Sequence, residues 1–493
     1  MGGGVLQLVA YGAQDIYLTG NPQITFFKIV YRRHTNFSLE SIEQTFNGSA
    51  DFGKKVTCTV SRNGDLIHRT YLCVTLPDVT IPVPAAVGTK NGFRWLNWLG
   101  HALIKYVELE IGGQRIDKHW AAWLHIWNEL TQTAGHAAGY AQMVGNTPDL
   151  TNVTWVAAGG SAKTVKSSYN TMYIPLQFWF CRNPGLALPL IALQYHEVKF
   201  NLEFEQLSNL YWAGTKDAAN VVTTALNTVV PPSLQTASIF IDYVYLDTEE
   251  RRKYAQISHE YLIDQVQFTG DESTANTNYK VKLNFNHPCK ELVWVVQPLA
   301  NIYDTGSFDQ DTDPTTWTTV PFGKQWFNFS DSYNQEGGES WSLSTWNNIM
   351  AGASGGANLA QGSYSYSPNV SAGVNPVQSA KIQLNGHDRF TQRDGRYFNL
   401  VQPYQHHTNV PSMGINVYSF ALLPEEQQPS GTCNMSRIDN ATLQLNLSQR
   451  AVNPVTAPGA TGPRISNANI KVFAVNYNVL RIMSGMGGLA YSN

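Results

Sequence analysis

The stretch Glu197-Val198-Lys199-Phe200-Asn201-Leu202-Glu203-Phe204 alternates polar and apolar residues without a fault. Side chains on an extended strand point to opposite faces in turn. Val198, Phe200, Leu202 and Phe204 therefore share one face, and Glu197, Lys199, Asn201 and Glu203 the other. A strand of this kind packs one side and wets the other, as in an antiparallel sheet. The same alternation runs through Val107-Glu108-Leu109-Glu110-Ile111, Lys280-Val281-Lys282-Leu283-Asn284-Phe285 and Leu443-Gln444-Leu445-Asn446-Leu447. Asn63-Gly64, Gly112-Gly113 and Asn385-Gly386 separate such runs and supply the residues that tight turns require.

The pattern occurs twice. Val107-Glu108-Leu109-Glu110-Ile111-Gly112-Gly113-Gln114-Arg115-Ile116 resembles Ala380-Lys381-Ile382-Gln383-Leu384-Asn385-Gly386-His387-Asp388-Arg389-Phe390. Each is a strand entering a Gly-containing turn, followed by an Arg and an apolar residue. Asp242-Tyr243-Val244-Tyr245-Leu246 resembles Asn476-Tyr477-Asn478-Val479-Leu480 in the same order. Two tandem all-β domains of related fold are predicted: an arm at 1–25, domain one at 26–247, a connector at 248–258 and domain two at 259–493. The connector holds the one strongly charged run, Thr248 to Tyr254. In the arm, Gly2 to Gly4 are flexible, Val5 to Tyr11 suit a short apolar helical turn, and Asn21-Pro22 marks a turn.

One clear helix interrupts the strands. Trp120, Trp123, Leu124, Trp127 and Leu130 fall at helical spacing, with Asp117 as the expected N-cap. Its apolar stripe is expected to pack on a sheet, and the helix to fill a side of domain one near a contact between chains. Domain two carries a long insertion, about 299–378, rich in Gly, Ser, Asn and Asp. Trp317, Trp326, Phe327, Phe329, Trp341 and Trp346 lie in it. Disordered segments are poor in aromatics, so an ordered surface tower is predicted. Thr133 to Ser168 and Ala213 to Thr236 read as smaller surface loops of domain one.

Composition narrows the class. In 493 residues, 43% are hydrophobic but only 14% charged, against roughly 25% in an average globular chain. Aromatics reach 12%, with 39 Gly and 23 Pro. A chain so poor in charge and rich in turn formers suits an all-β protein that buries much of its surface, in part against its own copies. Net charge is −3, and no basic arm or face exists, so direct nucleic-acid binding is not expected. The five cysteines, at 58, 73, 181, 289 and 433, are scattered and never spaced C-x-x-C. They form neither a disulfide framework nor a zinc site. No basic-then-apolar leader opens the chain, and Leu6 stands where a myristoylation signal needs Ser or Thr. The most apolar stretch, Tyr173 to Leu193, is broken by Pro175, Arg182, Pro184 and Pro189, which argues against a membrane-spanning helix.

Catalytic patterns are missing. There is no G-x-S-x-G, H-E-x-x-H or Walker sequence, and no cofactor or metal site is expected. His406-His407 are adjacent, and neighbours on a strand point apart rather than chelating one ion. Asp309-Gln310-Asp311-Thr312-Asp313 opens like a calcium loop, but Pro314 follows and the later Gly and Glu positions are missing. Glu108 with Glu110, and Glu203 with Glu205, are what an alternating strand produces on its polar face. Of eight N-x-[ST] sequons, Asn328 and Asn369 sit in the long insertion and are the sites the sequence offers as most exposed for sugars.

The chain resembles a known family at this point. Leu8-Val9-Ala10-Tyr11-Gly12-Ala13-Gln14-Asp15, Leu18-Thr19-Gly20-Asn21-Pro22-Gln23-Ile24-Thr25-Phe26-Phe27-Lys28 and Val30-Tyr31-Arg32-Arg33 resemble the opening of the major capsid proteins of chlorella-type algal viruses and other nucleocytoplasmic large DNA viruses. The likeness continues through Glu110 to His119 and Pro184 to Val198, and closes with Pro429 to Asn434 and Asn478 to Tyr491. It departs at Asn91 to His101, Thr133 to Ser168 and the long insertion. The resemblance implies two tandem eight-stranded antiparallel jelly rolls with few helices and long surface loops. It implies a homotrimer of pseudo-hexagonal outline that tiles an icosahedral shell over an inner membrane, which the chain meets only indirectly. Neighbouring capsomers and minor capsid proteins are the implied partners, with covalent glycans on some relatives. Synthesis and assembly are expected in the host cytoplasm.

Val5, Leu6, Leu8, Tyr11, Tyr17, Phe26 and Phe27 are the residues expected to make assembly contacts beneath the shell. Two other readings stay open on sequence alone: a minor capsid paralogue, separable by its abundance in virions, and a carbohydrate-binding jelly-roll protein, which needs an aromatic groove with acidic partners.

Overall fold

The computed structural model describes residues 2–166, 171–216, 222–225, 229, 231–303, 307–309, 319–321, 324–331, 375–452 and 466–491. Eight strands form the body of the first half: β1 (Phe37–Thr45), β2 (Lys55–Thr59), β3 (Leu66–Thr75), β4 (Ile104–Ile111), β5 (Gln114–Trp120), β6 (Thr171–Pro175), β7 (Val198–Phe204) and β8 (Thr236–Leu246). They make two antiparallel sheets, β1-β8-β3-β6 and β2-β7-β4-β5. The second half repeats this with β9 (His259–Phe268), β10 (Asn278–Lys282), β11 (Pro288–Pro298), β12 (Val377–Leu384), β13 (His387–Asp388), β14 (Ile415–Ser419), β15 (Ala441–Leu447) and β16 (Ala468–Met483). Its sheets are β9-β16-β11-β14 and β10-β15-β12-β13. Adding eight to each strand number of the first pair gives the second. Each pair is an eight-stranded jelly roll.

The internal sequence repeat falls on equivalent elements. Its first member spans the β4–β5 hairpin and the β12–β13 hairpin, and its second lies in the last strand of each half. The turns are of one kind: φ is +57° and +86° at Gly112 and Gly113, and +50° and +82° at Asn385 and Gly386. Left-handed backbone at both central residues matches the twist of the flanking strands. Gly112 has a second reason to lack a side chain, since a Cβ there would stand 2.2 Å from the His196 ring.

Alternation places the cores. Val198, Phe200, Leu202 and Phe204 are all buried, with polar neighbours half-buried between them. Leu443, Leu445 and Leu447 do the same in the second sandwich. β11 departs from alternation because its sheet is covered on both sides. Leu292, Trp294 and Val296 face the second sandwich's own core, while Val293 and Val295 join the core that includes the first sandwich.

Strand register fixes the two ends of the molecule. Phe37 pairs with Leu246 and His259 with Ile482, so the arm, the connector and the C-terminal strand share one end. Pro298 pairs with Ala468, so the chain enters the long insertion from the opposite end. The arm begins with α1 (Gly3–Val9), and no strand forms before Phe37, so exposed chain continues well past residue 25. The tryptophan-bearing helix is α2 (Ala121–Thr131). The connector is α3 (Thr248–Gln256), with Asp247 accepting the Thr248 N–H at its start.

Two expectations are corrected here. Asp117 does not cap α2: it lies inside β5, and Trp120 holds the N-cap position with no side-chain hydrogen bond. The carboxylate is buried instead, 2.9 Å from His119 Nε2 and 3.1 Å from the Val266 N–H, which donates to it. The loops expected at Thr133 to Ser168 and Ala213 to Thr236 contribute to a further four-stranded sheet. It is built from Lys90–Trp95, Thr154–Ala157, Tyr211–Lys216 and Val222–Ala225. Lys90–Trp95 escaped notice because five successive residues are buried, so it shows no alternation. The apolar stripe of α2 packs on a sheet, that of the second sandwich of the same chain.

Candidate functional site

Two features stand out among the described residues: the exposed arm and the seam between the two sandwiches. The arm comes first. Val5, Leu6, Leu8, Tyr11, Tyr17, Phe26 and Phe27 are all exposed, Phe27 completely. Ile16, Leu18, Ile24, Ile29, Val30 and Tyr31 are exposed with them. Covering a large apolar side chain is worth about 1.5–3 kcal/mol, so leaving this many uncovered is a substantial cost.

The seam between the sandwiches is aromatic in the middle and charged at its side. Phe268 stacks on Phe473 at 4.6 Å between ring centroids, with Trp120 5.0 Å from Phe268 and Trp123 5.5 Å from Phe473. Gln265 donates its amide to the Ile116 carbonyl. Beside these, Arg182 of the first sandwich approaches Asp264 of the second at 3.4 Å. Lys290 is fully buried, 3.4 Å from Asp264, and donates to the Glu426 carbonyl at 2.9 Å. Burial pushes the Lys290 ammonium below its usual range, against the pull of Asp264.

His407 sits between two carboxylates, with Nε2 2.8 Å from Glu291 and Nδ1 2.9 Å from Glu425. Burial alone would depress this imidazole. The two carboxylates override it and raise the group to about 9, so it is an imidazolium at neutral pH. The neighbouring His406 instead places Nδ1 2.9 Å from the Leu422 carbonyl. The adjacent pair is thus divided, although His406 ends a short helix and His407 caps it rather than both lying on a strand. Near α2, His101 and His125 are buried beside Tyr140 and Phe327, and burial drives both imidazoles toward the neutral form.

The residues expected on the tower divide into two groups. Trp326 donates its indole N–H to the Asn209 carbonyl, Phe327 stacks on His125 at 4.4 Å, and Phe329 is buried. This part of the insertion returns into the seam instead of standing on the surface. Asn328 is corrected with it. Its side chain is fully buried, donates to Gln325 at 2.7 Å and accepts from the Ser330 N–H and hydroxyl, so it offers no amide to a sugar. Asn369, Trp317, Trp341, Trp346 and the tower itself lie outside the described residues, as do Asp304, Asp311 and Asp313.

The paired glutamates have structural partners. Glu108 meets Lys118 at 2.9 Å and Glu203 meets Lys105 at 2.6 Å, while Glu110 accepts from Asn201 and Glu205 from Asn209. Among the described residues no cluster of three or more His, Cys, Asp or Glu is arranged to hold a metal ion. A seam cavity of about 150 Å³, lined by Trp179, Arg182, Asp264 and Glu425, is smaller than the roughly 300–1,000 Å³ typical of small-molecule sites. No helix among the described residues is long and apolar enough to cross a membrane. The signal that could have revealed the seam is the unbroken apolar run Leu292 to Val296, which a sheet with one wet face does not produce.

Two jelly rolls of identical strand order, fastened along a packed seam and carrying an uncovered apolar arm, define a double jelly-roll shell protein. Residues 25–247 match the family described as major capsid protein N-terminus, and residues 250–488 that described as large eukaryotic DNA virus major capsid protein. The chain is 52% identical to the major capsid protein of Pyramimonas orientalis virus and 51% to that of Phaeocystis pouchetii virus, with 100% of both chains covered in each case. Among solved structures, a chain of the quasi-atomic PBCV-1 virus capsid is 39% identical with a TM-score of 0.62, covering 95% of this chain and 100% of that one. This chain therefore belongs to the major capsid proteins of the nucleocytoplasmic large DNA viruses, a structural family of the virion capsid.

Proposed function

We propose that the chain trimerises into pseudo-hexagonal capsomers that tile an icosahedral shell. The single observation that carries this is the twofold repetition of one strand order in one chain. Three chains then supply six similar sandwiches, and a six-sided tile arises from one gene product. The placement of the ends supports an orientation: the apolar arm end faces the particle interior and the insertion end faces outward.

In this arrangement the arm, Val5 to Phe27, contacts minor capsid proteins beneath the shell, and capsomers meet edge to edge. The inner membrane is reached only through those proteins, and packaged nucleic acid is not touched, in keeping with a net charge of −3. Sugars, where present, are carried on the insertion, with Asn369 as the remaining sequon there. Assembly takes place in the host cytoplasm, and the protein turns over no substrate. Sedimentation of the purified full-length chain tests the core of this: a mass of three chains is expected, and a single-chain mass overturns it.

A further inference from the structure

Two of the five cysteines lie opposite each other. Antiparallel register pairs Cys289, in β11, with Cys433 in the two-residue strand Cys433–Asn434, and Pro288 with Asn434 beside them. Directly opposed residues of an antiparallel pair stand roughly 4.5–5.5 Å apart at Cα, and their side chains leave on one face. A disulfide spans roughly 4.4–6.8 Å between Cα atoms, so this pair can be bridged with little backbone movement. Both side chains belong to the second sandwich's own core, Cys289 fully buried and Cys433 half-buried at its margin. The other three cysteines have different neighbours. Cys58 is paired with Phe200, Cys73 with Ser238, and Cys181 meets the Thr70 hydroxyl at 3.1 Å.

Both sulfurs are free thiols here. The Cys289 thiol donates to the Glu291 carbonyl at 3.0 Å, a weak hydrogen bond that a disulfide would replace. Burial, with help from Glu291 and Cys433, pushes the Cys289 thiol well above its ordinary range. Burial also raises Cys433, against the pull of Arg389. Both therefore stay protonated at neutral pH, and they react slowly, because the thiolate is the nucleophile. Of the two, Cys433 is the one that solvent reaches.

The pair closes the base of one loop. Chain 420–432 leaves β11 where Ser419 pairs with Glu291 and returns where Cys433 pairs with Cys289. This loop carries much of the charged side of the seam. Its Glu425 holds His407 at 2.9 Å, and its Glu426 carbonyl accepts from Lys290 at 2.9 Å. Its Gln427 donates to the Leu262 carbonyl and accepts, through its own carbonyl, from the Tyr477 hydroxyl. Glu425, Glu426 and Gln427 also line the seam cavity together with Trp179 and Arg182 of the first sandwich. One leg of the loop runs on from β14, whereas the returning leg is held by two residue pairs alone.

We propose that Cys289 and Cys433 form a cross-strand disulfide under oxidising conditions, stapling the returning leg of the seam loop to β11. The oxidant is a low-molecular-weight disulfide, for which oxidised glutathione serves. Cys433 loses its proton, and its thiolate attacks one glutathione sulfur. The glutathione S–S bond breaks, a Cys433–glutathione mixed disulfide forms, and one glutathione thiolate leaves and takes up a proton. Cys289, deprotonated in turn, attacks the Cys433 sulfur and expels the second glutathione. Two protein thiols become one disulfide, and the two electrons they give up reduce one oxidised glutathione to two thiols. A reducing compartment holds the pair open, and an oxidising one closes it.

The test treats the full-length protein with oxidised glutathione at mildly alkaline pH until reaction is complete. The protein is then denatured, its remaining thiols are alkylated, and its mass and peptides are read. Three of the five thiols are expected to be alkylated, with Cys289 and Cys433 recovered as one linked peptide. Hydrogen exchange across 420–432 is expected to slow on oxidation and to return to its starting rate with dithiothreitol. Cys433→Ser is expected to keep all its remaining thiols and to show no slowing. Cys289→Ala is expected to retain a glutathione on Cys433, since nothing is left to expel it. Five alkylated thiols in the treated wild type, a lasting glutathione on its Cys433, or a link between other cysteines overturns the pairing. An exchange rate that the linked protein shares with the reduced one overturns the staple.

Discussion

His407 is held by Glu291 and Glu425 with all of its own side chain out of solvent. In the unfolded chain its imidazole titrates near 6.5. In the fold, burial works to lower it and the two carboxylates raise it to about 9. A raised folded value means that the stabilisation is fully present below about pH 6.5 and is lost as pH rises to about 9. Thermal midpoints measured from pH 6.5 to 9.5 are therefore expected to fall, by the equivalent of up to about 3 kcal/mol. His407→Gln is expected to start lower and to flatten that decline; an equally steep decline in the variant would remove His407 as its source. The sequence showed only an adjacent histidine pair. That one member is a buried imidazolium depends on Glu291, 116 residues away in the chain, and Glu425, 18 residues away, which meet it only after β11 and β14 are in place.

At the scale of elements, regular alternation was the dependable signal. The stretches at 107–111, 197–204 and 443–447 became β4, β7 and β15 because each has one packed and one wet face. The signal failed where both faces are covered, as in Lys90–Trp95 and β11. It also misled at Trp326, Phe327 and Phe329, where aromatic content foretold order but not its place. The helix α2 was legible from its stripe, yet its partner was not, since the sheet it covers is more than a hundred residues onward. Trp123 is buried against Phe473 there, so Trp123→Ala is expected to cost about 3–5 kcal/mol, read as a lowered midpoint in chemical denaturation. A loss below 1 kcal/mol would mean that the seam does not depend on α2. The arm behaves oppositely. Its apolar residues touch little of their own chain, so deleting 2–36 is expected to leave the thermal midpoint and the trimer unchanged while shells fail to form. Normal shells from that deletion would show that the arm has no part in assembly.

At the scale of the whole molecule, the duplication was legible because a hairpin and a final strand kept matching residues in both halves. The seam was not, because it is made by residues that match nothing in the other half. Asn328 illustrates the limit at a site: a sequon states chemistry, and burial decides whether that chemistry is reachable. What the two sandwiches build together is a matter of shape, and shape is directly visible. Electron cryo-microscopy of the purified full-length protein is the most direct measurement. Three chains with six β-sandwich bodies in a hexagonal outline are predicted. Particles of one chain, or rings with another number of bodies, contradict the account.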